Sequence, residues 1–283
     1  MPEPVLAPGS SLPSCPRHEP MTLALPHWTD PLPEPGPDAP PVQIWRLCLS
    51  DLDPAPMETL RRLTTPSEHA RAQRYRFDAD RHRHLAGRGL VRLFVARTYE
   101  RGLQEISIRE GRHGKPQLTG SEEEIDLEFN IAHTDDVVLA AFSRTHPVGI
   151  DVEAQDREAD MDGLAERIFT KAEQRHWTTL PDDARSEFFF QIWTCKEAFL
   201  KATGQGLQRA PETVECTFDD DTVVALRETD DLPNSDSSAA HRWAVRPFSV
   251  SDRLAGAVVR KNTLPTPLLF VDASRLVTQR AHC

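Results

Sequence analysis

The chain has 283 residues, with 33 Lys and Arg against 44 Asp and Glu, for a formal charge of −11. That balance argues against a general nucleic-acid binder, which carries a basic excess. The longest apolar run, Val137 to Phe142, falls far short of the roughly 20 residues that a membrane span needs.

In chain order, 13 of the 24 prolines lie in residues 1–41. Each fixes φ and removes a backbone donor, so a disordered or loosely draped arm is expected there. No secretory signal pattern opens the chain. The folded part is expected from Val42, with a first strand carrying Val42, Ile44 and Leu47. Thr65-Pro66-Ser67-Glu68 reads as a capping box opening a helix to about Phe77. A second helix fits Asp80 to Tyr99, with Gly102 as its cap. Ile106 and Ile108 suit a strand, and residues 111–116 a turn. Ile125, Leu127, Phe129 and Ile131 alternate with polar residues, the period of a half-buried strand. Val137 to Ser143 and Pro147 to Glu153 read as further strands.

Thr170-Lys171-Ala172-Glu173 repeats the capping box. A long helix fits Ser186 to Thr203, stopped by Gly204 and Gly206. Strands are expected near 214–218, 223–227, 243–248 and 254–259, with a mobile Asp/Ser-rich loop at 229–239. Pro265 and Pro267 then break the chain before a tail. Helices followed by strands thus occur twice, an α+β pattern. The expected organisation is an arm (1–41), a first half (42–146), a second half (147–262) and a tail (263–283). The five cysteines, Cys15, Cys48, Cys195, Cys216 and Cys283, are odd in number and form no C-x-x-C pair. Reduced thiols of a cytoplasmic protein are expected. Cys195 is expected to be a small buried hydrophobe.

Charge is uneven. Residues 61–115 hold 14 Arg and Lys against 6 Asp and Glu, a net of +8. One basic segment in an acidic chain points to a local anionic ligand, or to a solvated Arg-rich helix face. In Gly149-Ile150-Asp151-Val152-Glu153, strand alternation puts Asp151 and Glu153 on one face, with Gly149 leaving room beside them. Such a pair suits a hard divalent cation, and by itself it also fits an exposed strand face with two ordinary acids. Trp193, Glu197 and Lys201 lie at i, i+4 and i+8, on one side of the long helix. A surface Glu–Lys pair has the same spacing.

Gly114-Lys115-Pro116, Phe129-Asn130-Ile131-Ala132-His133-Thr134, Gly149 to Glu153 and Trp193 to Leu207 stand in one order. Together they resemble the 4′-phosphopantetheinyl transferase superfamily, in its long single-chain, surfactin-synthetase-activating subclass. The resemblance spans roughly Val42 to Val259. It implies two similar α/β halves arranged as a pseudo-dimer in one chain. The implied activity is transfer of the 4′-phosphopantetheine arm of coenzyme A to a serine of an apo acyl or peptidyl carrier protein, releasing 3′,5′-ADP. Mg²⁺, with Mn²⁺ as a substitute, is the implied cofactor. By the same resemblance Asp151, Glu153 and Glu197 hold the metal. Glu197 is also the general base for the carrier serine, directly or through a water, and Lys201 meets the phosphates. Arg71, Arg83, Lys115, Pro116, His133, Thr134 and Asp151 line the coenzyme A side. Ala132 departs from the Ser frequent before that His, and Thr134 keeps a hydroxyl. The implied protein is a broad-specificity monomer without nucleic-acid or membrane partners. Two alternatives stand beside it: a non-catalytic coenzyme A or carrier-binding module, and a metal-dependent hydrolase of the same cofactor.

Overall fold

The structure is a computed structural model that describes residues 25–29, 42–52, 56–111, 114–119, 125–144, 146–155, 160–204, 206, 209–219, 222–229, 243–262 and 268–280. In the first half, β1 (Val42–Cys48) leads through α1 (Pro56–Leu63), α2 (Pro66–Ala72) and α3 (Asp78–Tyr99) to the hairpin β2 (Ser107–Glu110) and β3 (Pro116–Thr119). β4 (Leu127–Thr134) and β5 (Val137–Arg144) follow. In the second half, β6 (Val148–Ala154) leads through α4 (Met161–Ile168), α5 (Lys171–Thr179) and α6 (Asp182–Thr203) to β7 (Val214–Asp219), β8 (Thr222–Glu228), β9 (Trp243–Ser251) and β10 (Leu254–Lys261). β11 (Leu269–Asp272) and α7 (Ser274–Arg280) close the chain's described part.

The halves share one plan. β1 pairs antiparallel with β5, which pairs with β4; β6 pairs antiparallel with β10, which pairs with β9. Each half places a 22-residue helix, α3 or α6, after its first strand. Each also uses a capping box the same way. Thr65 caps α2 and Glu68 reaches back to the Thr65 N–H, then meets Arg92 of α3 at 3.0 Å. Thr170 caps α5 and Glu173 reaches back to the Thr170 N–H, then meets Lys196 of α6 at 2.6 Å. This is the α+β pseudo-dimer in one chain that the sequence suggested.

Strand alternation divides the interior into three layers. Trp45, Leu47, Val138, Ala140 and Phe142 pack on α3. Ala255, Ala257 and Val259 pack on α6. Val42, Ile44, Leu139 and Ala141 of one sheet meet Val148, Ile150, Val152 and Val258 of the other, so the halves join sheet to sheet. Asn130 ties the two facing edges: its Oδ1 accepts the Ile150 N–H of β6 at 3.0 Å.

Several expectations need correction. α2 stops at Ala72 rather than near Phe77. The left-handed residue ending α3 is Glu100, not Gly102, whose N–H is instead bound by the Glu105 side chain. The tail is not mere tail, because β11 pairs parallel with β1 and Arg46 of β1 bonds Asp272. The arm is anchored at Thr29, which bridges to Val271, and Trp28 packs edge-on against Phe270. α1, α4 and β3 were not foreseen. Residues 1–24 and 30–41 of the arm, residues 230–239 of the loop, and Arg112, His113, Gln205 and Leu207 of the quoted motifs lie outside the described residues.

Candidate active site

The site forms where β6 and α6 touch. Ile150 and Val152 face the layer between the sheets, so Gly149, Asp151 and Glu153 face α6. Gly149 does not leave open space there. A Cβ on it would strike the Ala198 carbonyl and lie 2.6 Å from the Ala202 N, so only glycine lets the α6 backbone come this close. Ala198 and Ala202 are flanked by Glu197 and Lys201, which the close approach brings to the carboxylates of β6. Lys201 Nζ donates to Asp151 Oδ1 at 2.6 Å. Trp193, one turn before Glu197, donates its indole N–H to Glu153 Oε1 at 3.4 Å.

Asp151 is 4% exposed. Its Oδ2, like Glu197 Oε1, is buried with no hydrogen-bond partner among the described residues. Burial first, then the Asp151 and Glu153 charges, push the Glu197 carboxyl above its ordinary range, against the opposing pull of Lys201. Among the described residues, no three His, Cys, Asp or Glu side chains are gathered closely enough to hold a metal as they stand. The cation at these carboxylates is the Lys201 ammonium. The donor set nonetheless fits a hard divalent ion, since it offers oxygens only and two lack a hydrogen-bonding proton.

The first half brings cations to the same cleft. Lys115 donates to the Ala202 carbonyl at 3.5 Å and pairs with Glu128 at 3.5 Å. Lys115, Pro116, Asn130, Ile131 and Lys201 line a cleft of about 200 Å³ between the halves. Lys115 and Pro116 also line a groove of about 510 Å³ between β3 and β4. The two together suit an elongated ligand better than a compact one. Arg83 reaches the β4–β5 turn, donating to the Asp135 carbonyl at 2.7 Å and to Asp80 at 2.6 Å. Partial desolvation, then the Arg83 and Lys201 charges, push the His133 imidazole below its ordinary value. His133, Arg83 and Lys201 are therefore neighbours.

Two expected residues stand apart. Thr134 is buried on the strand face opposite His133, so the two side chains do not project together. Arg71 is turned toward β2, where it pairs with Glu110. It forms a basic cluster with His84, held to about 4 by burial and by Arg88 and Arg71. Cys195 is fully buried, as expected. Asn130, Lys196 and Glu173 were missed as site supports. Glu173 is wholly buried, accepts the Thr170 and Cys216 N–H groups, and fixes Lys196 beside Glu197.

The site thus sets the carboxylates and Lys201 of one half beside Lys115 of the other across a pseudo-dimer. Residues 147–258 match the 4′-phosphopantetheinyl transferase superfamily and residues 53–145 the 4′-phosphopantetheinyl transferase N-terminal family. The 4′-phosphopantetheinyl transferase HetI of Nostoc sp. is 34% identical over 60% of this chain and 72% of its own. The 4′-phosphopantetheinyl transferase Sfp of Bacillus subtilis is 29% identical over 61% of this chain and 73% of its own. The chain belongs to the 4′-phosphopantetheinyl transferase superfamily and is an enzyme of that class. Among solved structures, a holo-(acyl-carrier-protein) synthase from Bacillus anthracis in complex with CoA (3′,5′-ADP) shares 27% identity over 41% of this chain and 94% of its own, with a TM-score of 0.34.

Proposed function

We propose that this enzyme transfers the 4′-phosphopantetheine group of coenzyme A to a serine of an apo acyl or peptidyl carrier protein, leaving 3′,5′-ADP, with Mg²⁺ or Mn²⁺ held by Asp151, Glu153 and Glu197. The observation that carries it is the contact at Gly149, which sets Glu197 and Lys201 of α6 against Asp151 of β6. When bound, a divalent cation neutralises pyrophosphate charge that grows in the transition state.

The chain's own residues supply the rest. Glu197 takes the proton from the carrier serine, directly or through a water. The serine oxygen then bonds to the pantetheine-bearing phosphorus as the bond to the leaving 3′,5′-ADP breaks. Lys201 lies beside the phosphates, where charge develops. Lys115, Arg83 and His133 hold the 3′-phosphate end, and Pro116 shapes the wall. Burial and the Arg83 and Lys201 charges disfavour the charged form of His133 in the free protein, and a phosphate favours it. Arg71 joins only if its pair with Glu110 opens, and the Thr134 hydroxyl is left out. A cytoplasmic monomer without nucleic-acid or membrane partners completes the proposal. No helix among the described residues is long and apolar enough to cross a membrane.

Mass spectrometry of an apo acyl carrier and an apo peptidyl carrier, incubated with the protein, coenzyme A and Mg²⁺, tests it. A phosphopantetheine-sized gain that vanishes on chelation is expected. No gain on either carrier, or release of 3′,5′-ADP without a carrier, overturns it.

A further inference from the structure

Among the described residues Lys115 and Lys201 line this cleft and Arg83 stands by the β4–β5 turn, and of these Lys201 is the one bonded to Asp151. Lys115 is committed to Glu128 and the Ala202 carbonyl, and Arg83 to Asp80 and the Asp135 carbonyl. Lys201 is on Asp151 at 2.6 Å, and its charge also acts on Glu197. The partners differ in freedom: the Asp151 side chain is 5% exposed, that of Lys201 30%. Asp151 is fixed on a central stretch of β6, whereas Lys201 stands on a flexible stem in the last turn of α6, before the left-handed Gly204. A buried carboxylate needs a cation, and removing its only partner is costly. Lys201 occupies Oδ1 and leaves Oδ2 open, and two cations on one carboxylate repel each other, so a divalent ion entering at Oδ2 weakens the hold on the ammonium. An ammonium so released points into a cleft whose other basic groups repel it, until a polyanion arrives.

Resting on the function proposed above, we propose that Lys201 is a resident counter-ion: it competes with metal for Asp151 in the free protein and surrenders the carboxylate when coenzyme A phosphates draw it away. Metal and coenzyme A then bind cooperatively, each raising affinity for the other by the same factor. The device also keeps Asp151 oriented while no metal is present. It makes the loaded metal site a property of the enzyme–coenzyme A complex rather than of the enzyme alone.

The test is Mn²⁺ binding to the full chain without coenzyme A, followed by the paramagnetic signal of unbound Mn²⁺. Lys201→Met keeps the length and removes the charge. It is expected to bind Mn²⁺ about tenfold more tightly than wild type, a typical coupling. Lys201→Arg keeps the charge and is expected to stay near wild type. Equal or weaker binding by Lys201→Met, or no binding by either protein, overturns the proposal. A second measurement needs no variant. Labelling of the Lys201 amine by an acylating reagent, read on its peptide, is expected to speed up when Mg²⁺ saturates wild type. Unchanged labelling at saturating Mg²⁺ overturns the proposal whether or not the variant folds. The carrier assay separates the two ideas. Wild type that loads a carrier, with a Lys201→Met variant that gains no Mn²⁺ affinity, keeps the transferase and loses the counter-ion. Tighter Mn²⁺ binding by the variant of a protein that loads neither carrier does the reverse.

Discussion

In each half a threonine-capped helix sends its glutamate to a basic residue of the 22-residue helix, Glu68 to Arg92 and Glu173 to Lys196. The first strands of the halves then diverge. β1 turns Gln43, Trp45 and Leu47 toward α3, and Trp45 packs edge-on against Phe94 and Phe142. β6 turns Gly149, Asp151 and Glu153 toward α6 at the matching place. One half fills the strand–helix interface with an aromatic core. The other closes the gap with a glycine and buries carboxylates. The first half meanwhile supplies Lys115, Arg83 and His133. A repeated frame thus carries buried carboxylates in one half and basic side chains in the other, on either side of one cleft.

The largest expected effect breaks the division outright. Asp151→Ala, Glu153→Ala and Glu197→Ala are each expected to cut carrier loading by about 10³-fold or more, with far-UV circular dichroism unchanged. Wild-type rates in Glu197→Ala would remove it as the base. Next come the shared hubs. Lys196→Met and Arg92→Met each leave a buried glutamate without its cation and are expected to lose about 3–5 kcal/mol in urea unfolding. Only the Lys196 change strikes the helix that carries Glu197 and Lys201. Gly149→Ala is expected to cost about 3 kcal/mol and most of the activity, because its Cβ meets helix backbone. Gly87→Ala of α3 is expected to cost less, about 1–3 kcal/mol, since its Cβ would meet the β-branched Ile131 methyl at 2.8 Å rather than helix backbone.

The smallest effect concerns pH. The folded pKa of Glu197 lies above the ordinary carboxylate value, so between the two the native state binds more protons than the unfolded chain. Stability contributed by this residue therefore falls as pH rises through that window. Glu197→Gln is expected to raise Tm by ~2 °C at neutral pH, while abolishing transfer. A Tm below wild type in Glu197→Gln would contradict the burial argument.

Much of this was readable in the sequence, and the failures have physical causes. Alternation placed Ile150 and Val152 inward and Asp151 and Glu153 together, and the i, i+4 rule put Glu197 and Lys201 on one side. Both capping boxes were legible because they are local. Contacts made through space were not. Gly149 reads as spare room until α6 is seen to fill it. Lys196 and Glu173 lie 23 residues apart, and no local pattern announces a buried lysine. β11 is only four residues long, follows two prolines, and is held by β1 from the far end of the chain. α4 carries Gly163 in its first turn, which hides its period.

The central claim is that one half binds the nucleotide and the other performs the chemistry. Steady-state carrier loading by Arg83→Ala and Glu197→Gln, measured against coenzyme A concentration, tests it most directly. Arg83→Ala is expected to raise KM for coenzyme A about tenfold with kcat largely kept, and Glu197→Gln, which removes the base and weakens the metal site, to collapse kcat with a smaller rise in KM. The same kinetic signature in both variants, kcat lost alike or KM raised alike, would contradict the division of labour between the halves.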